Sequence, residues 1–189
     1  TKTAITMPKR EDIKSIAIIG AGTIGPDIAY YLLSALPDLT LYLVDIDAGA
    51  LERATQRIEA YVTKGLARKK LSENQATAIR ANLKPTLNYE DFADADWVLE
   101  AATENLSLKH KIFAQVEALV SPTALITSNT SSIPASRLFS EEMHKGRSKV
   151  KAYYSSGSLS FITPELWAFF ALYDEVISPP PQYIDPIPP

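Results

Sequence analysis

The sequence predicts an α/β fold: a doubly wound parallel sheet with helices on both faces and a helical insertion after its second strand. Three observations predict it. Short apolar runs rich in β-branched residues alternate with stretches whose apolar residues recur every three or four positions. The first run, Ser15 to Ile19, leads through Gly20, Gly22 and Gly25 into a helix-forming segment. The second run, Thr40 to Val44, ends in the acid Asp45.

The glycine-bearing stretch organises the rest. Gly20 permits a tight strand-to-helix turn, Gly22 lets backbone approach a diphosphate, and Gly25 lets the helix pack close to the strand. Thr23 and Ile24 complete the turn. A helix opening there presents N–H groups and a partial positive charge to an anion. An acid about 20 residues later at a strand end completes a dinucleotide-binding pattern. Asp45 occupies that place. Its carboxylate accepts hydrogen bonds from ribose hydroxyls and repels a 2′-phosphate, so NAD is expected over NADP.

The remaining elements follow in order. Thr23 to about Leu36 carries Ile24, Ile28, Tyr31, Leu32 and Ala35 at helical spacing, with Pro26 in the first turn, where its missing N–H costs little. Asp47 is the expected N-cap of a helix holding Leu51, Ala54, Ile58, Tyr61 and Val62, closed near Gly65. Arg68, Lys69 and Lys70 read as a solvated charge run. Ser72 caps a further helix through Ala76, Ile79 and Leu83. These two helices exceed what a minimal nucleotide-binding unit needs. Leu83 to Leu87 is a short strand that Pro85 assigns to the sheet edge or a strand start. Ala95 to Ala102 reads as a buried strand, Leu106 to Leu119 as a helix, and Ala124 to Thr127 as a last strand before Ser128-Asn129-Thr130-Ser131-Ser132. Ligands of such sheets bind at the carboxyl ends of the strands, where Gly20–Gly25, Asp45, Thr103–Asn105 and Ser128–Ser132 would gather.

Composition sets outer bounds. A 46% hydrophobic content suits a chain with one sizeable core, and a net charge of −3 does not suggest a nucleic-acid partner. No apolar run approaches the roughly 20 residues of a membrane span. Residues 1–14 read as a polar leader without an apolar core of signal-peptide length, so cytoplasm is the expected location. The chain lacks cysteine, which excludes disulfides and thiolate chemistry.

Residues 14–140 closely resemble the NAD-binding domain of the 3-hydroxyacyl-CoA dehydrogenases. The resemblance rests on IGAGTIG at Ile19–Gly25, on Asp45, and on the two-helix insertion. It rests further on DWVLEAATENLSLKHKIF from Asp96 to Phe113 and on ITSNTSS from Ile126 to Ser132. It implies a Rossmann-type sheet over residues 15–150, NAD as cofactor, an acyl-CoA partner, and oxidation of an (S)-3-hydroxyacyl-CoA to the 3-ketoacyl-CoA, as in fatty acid β-oxidation. By the same resemblance Glu104 and Lys109 lie near the nicotinamide side, Asn129 hydrogen-bonds near the nicotinamide ribose, and Ser131 contacts the substrate oxygen. The plain alternative for Glu104 and Lys109 is a pair of surface charges at a helix start.

The resemblance breaks beyond the Ser128–Ser132 block. Family members place a catalytic histidine in an HFFNP-like sequence. Here Tyr153 stands at that place with no Asn-Pro pair after it, although Glu165 lies at the spacing of the acid that orients the histidine. A tyrosine with a pKa of about 10 is a poor base at neutral pH. His110 and His144 read as surface residues, so no general base is identified. Residues 151–189, with the aromatic stretch Phe161–Tyr173 and a proline-rich end, do not resemble the family's helical second domain. An altered reading frame near residue 150 and a diverged short paralogue both fit that change of character. The aromatic stretch fits either a helix covering the sheet edge or a patch pairing with another chain, leaving a homo-oligomer open. Three functions therefore stand: a dehydrogenase domain with little turnover alone, a catalytically silent NAD-binding module, and an NAD-dependent dehydrogenase of a small hydroxy acid.

Overall fold

A computed structural model describes residues 12–129. Ser131, Ser132, His144, Tyr153, Glu165, the 151–189 tail and most of the leader lie outside them. Five parallel strands form one sheet in the order β3-β2-β1-β4-β5. They are β1 (Ser15–Ile19), β2 (Thr40–Val44), β3 (Leu83–Thr86), β4 (Trp97–Glu100) and β5 (Leu125–Ser128). The helices are α1 (Gly25–Ala35), α2 (Ala48–Ala67), α3 (Glu73–Asn82) and α4 (Leu106–Leu119). A 3-10 turn at Tyr89–Phe92, unforeseen in the sequence, precedes β4.

Strand alternation divides the core between two faces. Ile16, Ile18, Leu41, Leu43 and Leu99 pack with Ile28 and Leu32 of α1, Ile58 and Val62 of α2, and Ile79 of α3. Ala17, Ile19, Val44, Val98 and Ile126 face the other way, against Phe92 and against Ile112, Phe113 and Val116 of α4. Both sides of β1 are thus covered, which is why Ile16–Ile19 is continuously apolar. β3 pairs with β2 at the edge of the sheet, where Pro85 is tolerated.

Local chemistry places the element ends. The Asp47 side chain accepts from Gly49 N at 2.8 Å and starts α2. Ser72 and Gln75 form a reciprocal capping box at α3. The Asn105 side chain accepts from Leu108 N at 2.9 Å and starts α4, a cap the sequence reading did not assign.

Three expectations are corrected. α1 begins at Gly25 rather than Thr23, because Thr23 and Ile24 belong to the turn. Gly65 does not close α2; the helix runs to Ala67, and the chain reverses at Lys69, whose φ is 55°. Gly65 instead allows close packing, since a Cβ there would lie 3.1 Å from Leu71 and 3.2 Å from the Tyr30 hydroxyl. Finally, the end of the leader is not merely polar. Ile13 is buried in the core, and the N–H groups of Lys14 and Ser15 donate to the Asp96 carboxylate.

Candidate active site: a dinucleotide cleft at the strand ends

The carboxyl ends of β1, β2, β4 and β5 carry the candidate residues, and backbone hydrogen bonds extend the ladders past the strands. Gly20 N donates to Val44 O at 2.8 Å, Ala101 N to Ile19 O at 2.7 Å, and Asn129 N to Glu100 O at 2.8 Å. Gly20–Gly25, Asp45, Glu104 and Asn129 are thereby brought to one edge of the sheet.

Two of the glycines are dictated by geometry. Gly20 has φ +114°, and a Cβ on it would lie 2.5 Å from Ala101 O, so the first turn passes directly against the loop after β4. A Cβ on Gly25 would stand 1.8 Å from Gly20 O, so the turn closes on itself only without a side chain there. Gly22 differs. It is exposed, and a Cβ on it meets nothing within 4 Å. Its bare backbone therefore borders open space at the start of α1, as a cradle for a diphosphate requires. Ile24 precedes α1 without a side-chain cap; its carbonyl accepts from Asp27 N and Ile28 N, each at 3.1 Å, and Pro26 in the first turn has no N–H to satisfy.

Asp45 is tied to that turn. One carboxylate oxygen accepts from Ala21 N and the other from Asp47 N, each at 2.9 Å. A carboxylate has about four lone-pair sites. Half-buried Asp45 can therefore brace the glycine turn and still accept ribose hydroxyls. The residues fit NAD at its adenosine end.

The β4 side has different chemistry. Lys109 is not a surface cation; its side chain is fully buried. Its ammonium donates to Glu100 Oε2 at 2.6 Å and to Ala102 O at 3.2 Å, and lies 3.6 Å from Glu104 Oε1. Glu104 itself is exposed, as is His110. Glu100, which the sequence reading passed over, also accepts from Ser128 Oγ at 2.6 Å and from Ala102 N at 2.7 Å. The signal was an acid inside the apolar run Trp97-Val98-Leu99-Glu100-Ala101-Ala102. Tyr89 stands within the field of both acids. Burial first, then the charges of Asp45 and Glu100, push its hydroxyl up to about 12, so it stays neutral at physiological pH.

A second unforeseen cluster braces the turn from α2. Arg57 pairs with Asp27 in the first turn of α1 and donates to Thr23 O at 3.0 Å and to the Tyr61 hydroxyl at 2.8 Å. The Tyr61 hydroxyl donates in turn to Asp27. A buried acid at the start of α1 would repel an anion there, and Arg57 offsets that charge. Among the described residues no helix is long and apolar enough to cross a membrane.

Comparison with known proteins agrees with this geometry. The family described as "3-hydroxyacyl-CoA dehydrogenase, NAD binding domain" matches residues 15–155. A probable 3-hydroxyacyl-CoA dehydrogenase of Caenorhabditis elegans is 39% identical over 135 residues, spanning 68% of this chain and 43% of that protein. The fatty acid oxidation complex subunit alpha of a Psychrobacter species is 37% identical over 122 residues, covering 65% of this chain but 17% of its own length. Among solved structures, the 3-hydroxybutyryl-CoA dehydrogenase of Escherichia coli superposes with a TM-score of 0.69 at 34% identity, covering 75% of this chain and 29% of that one. The chain thus spans less than half the length of these relatives. It belongs to the 3-hydroxyacyl-CoA dehydrogenase family, and what matches is that family's NAD-binding domain.

Proposed function

We propose that this chain is the cofactor-holding part of an enzyme that oxidises an (S)-3-hydroxyacyl-CoA to the 3-ketoacyl-CoA, and that it turns over little substrate alone. The observation that carries the reading is the open glycine turn braced by Asp45, within a chain of this family. Bound NAD would supply the hydride acceptor. The chain's own residues hold and orient it: Gly20, Gly22, Thr23, Ile24 and Gly25 form the diphosphate cradle, and Asp45 takes the adenosine ribose. Glu104 and Asn129 border the nicotinamide half, with Lys109 acting on it through Glu104 and the Ala102 carbonyl. Ser131 contacts the oxygen of the acyl-CoA substrate.

Low turnover follows from Tyr153, which stands where the family carries its proton-accepting histidine. Losing a positioned general base costs about 10²–10⁴ in rate. The same substitution supports a second reading, a catalytically silent NAD-binding module. Cytoplasm is the proposed location, although relatives in Arabidopsis thaliana and Brassica napus are named peroxisomal and glyoxysomal. Acetoacetyl-CoA-dependent oxidation of NADH separates the readings. Weak activity abolished by Ser131→Ala supports the dehydrogenase domain, no activity with intact NAD binding supports the silent module, and robust turnover contradicts the role given to Tyr153.

A further inference from the structure

Glu100 holds more of the site's framework than any candidate read from the sequence. Its carboxylate, fully buried, accepts from Ser128 Oγ, Ala102 N and Lys109 Nζ at 2.6–2.7 Å, and its backbone carbonyl accepts from Asn129 N. One residue thus fastens the end of β5 at two points, the loop after β4 directly, and the first turn of α4 through Lys109. Lys109 returns to the same loop at Ala102 O and lies 3.6 Å from Glu104. The loop in turn lies against Gly20 of the phosphate turn.

A buried ion pair is a poor source of stability, because desolvating two charges costs about as much as their attraction returns. Its distinctive contribution is directional. Each carboxylate oxygen accepts only along certain lines, so the loop, the β5 end and α4 are locked in one arrangement. The strand order locates what they border. Asp45 marks the adenosine end on the β2 side of β1, and a dinucleotide crossing the glycine turn at this switch point lays its other half over β4 and β5.

We infer that Glu100 is the positioning residue for the nicotinamide half of the cofactor, setting loop 101–105 and Asn129 while touching no ligand itself. The inference rests on the NAD reading above. ADP-ribose separates the two, since it retains the adenosine and diphosphate but lacks nicotinamide. In calorimetric titrations of the full chain, Glu100→Gln should weaken NAD about tenfold, the equivalent of about 1.4 kcal/mol, while ADP-ribose changes by less than about twofold. Ser128→Ala removes one hydrogen bond without unpairing a charge, and should shift the NAD to ADP-ribose ratio in the same direction by less. If Glu100→Gln does not fold, the ratio in Ser128→Ala decides.

Parallel weakening of both ligands, or an unmoved ratio in the folded variants, overturns the positioning role. Equal affinity of the wild-type chain for the two ligands overturns it as well. A wild-type chain that binds neither ligand overturns the NAD reading itself.

Discussion

Asp45 and Glu100 end the two strands that flank β1, yet the same functional group serves opposite ends there. Asp45 is half-buried, accepts two backbone N–H groups, and keeps about two further acceptor sites. Glu100 is enclosed, and three of its roughly four acceptor sites are taken by a lysine, a serine and a backbone N–H. The difference lies in the neighbours. Beyond β2 the chain turns outward through exposed Ile46 and Asp47, so water reaches the carboxylate. Beyond β4 the loop begins against Gly20, and buried Lys109 of α4 reaches both its Ala102 carbonyl and the Glu100 carboxylate, which is fully enclosed. An acid at a strand end is therefore left with acceptor sites to spare on the β2 side of β1 and built into the framework on the β4 side.

The largest expected effect comes from breaking the sealed side. Lys109→Met leaves the Glu100 carboxylate buried without its cation and should cost about 3–5 kcal/mol of stability in urea denaturation. The double variant Glu100→Gln with Lys109→Met should recover most of that loss. A double variant as unstable as the single one would mean that the charge pair is not the source. The smallest effect concerns Tyr89, whose hydroxyl feels the charges of both acids. Its folded pKa of about 12 exceeds the ordinary 10.0, so above the lower value the unfolded chain releases the proton first. The tyrosine's contribution is intact below pH 10 and falls as pH rises towards 12. Tyr89→Phe should reduce the alkaline decline by about 1 kcal/mol, discounted for partial exposure. Comparing urea midpoints at about pH 9 and about pH 11 checks it, and an unchanged decline would place the titration elsewhere.

Legibility in the sequence followed the range of the interactions. Strands were readable as short apolar runs covered on both faces and helices from burial that repeats about every 3.6 residues, and β2 and α4 fall on their expected bounds. The Asp47 and Ser72 caps act within three residues and were equally readable. So was the pairing of the glycine turn with Asp45, because that motif carries its own spacing. The Tyr89–Phe92 turn, four residues long, has no period to detect. Pairings across elements left no local trace. Glu100 reaches Ser128 across 28 positions, and Arg57 reaches Asp27 across 30. An acid in an apolar strand signals that a partner exists, but the partner's identity comes only with the fold. Lys109 shows the cost. It was read as a cofactor contact or a surface charge, and its complete burial against Glu100 was visible in neither the motif nor the helical period.

The account depends most on the open side of the cleft. Titrating NAD into the full chain by calorimetry tests it directly. The prediction is saturable binding in the micromolar range, weakened about tenfold by Asp45→Ala with a narrowed preference over NADP, as expected when a charged hydrogen-bond acceptor is lost. No heat at millimolar NAD, or equal binding by wild type and Asp45→Ala, would contradict it.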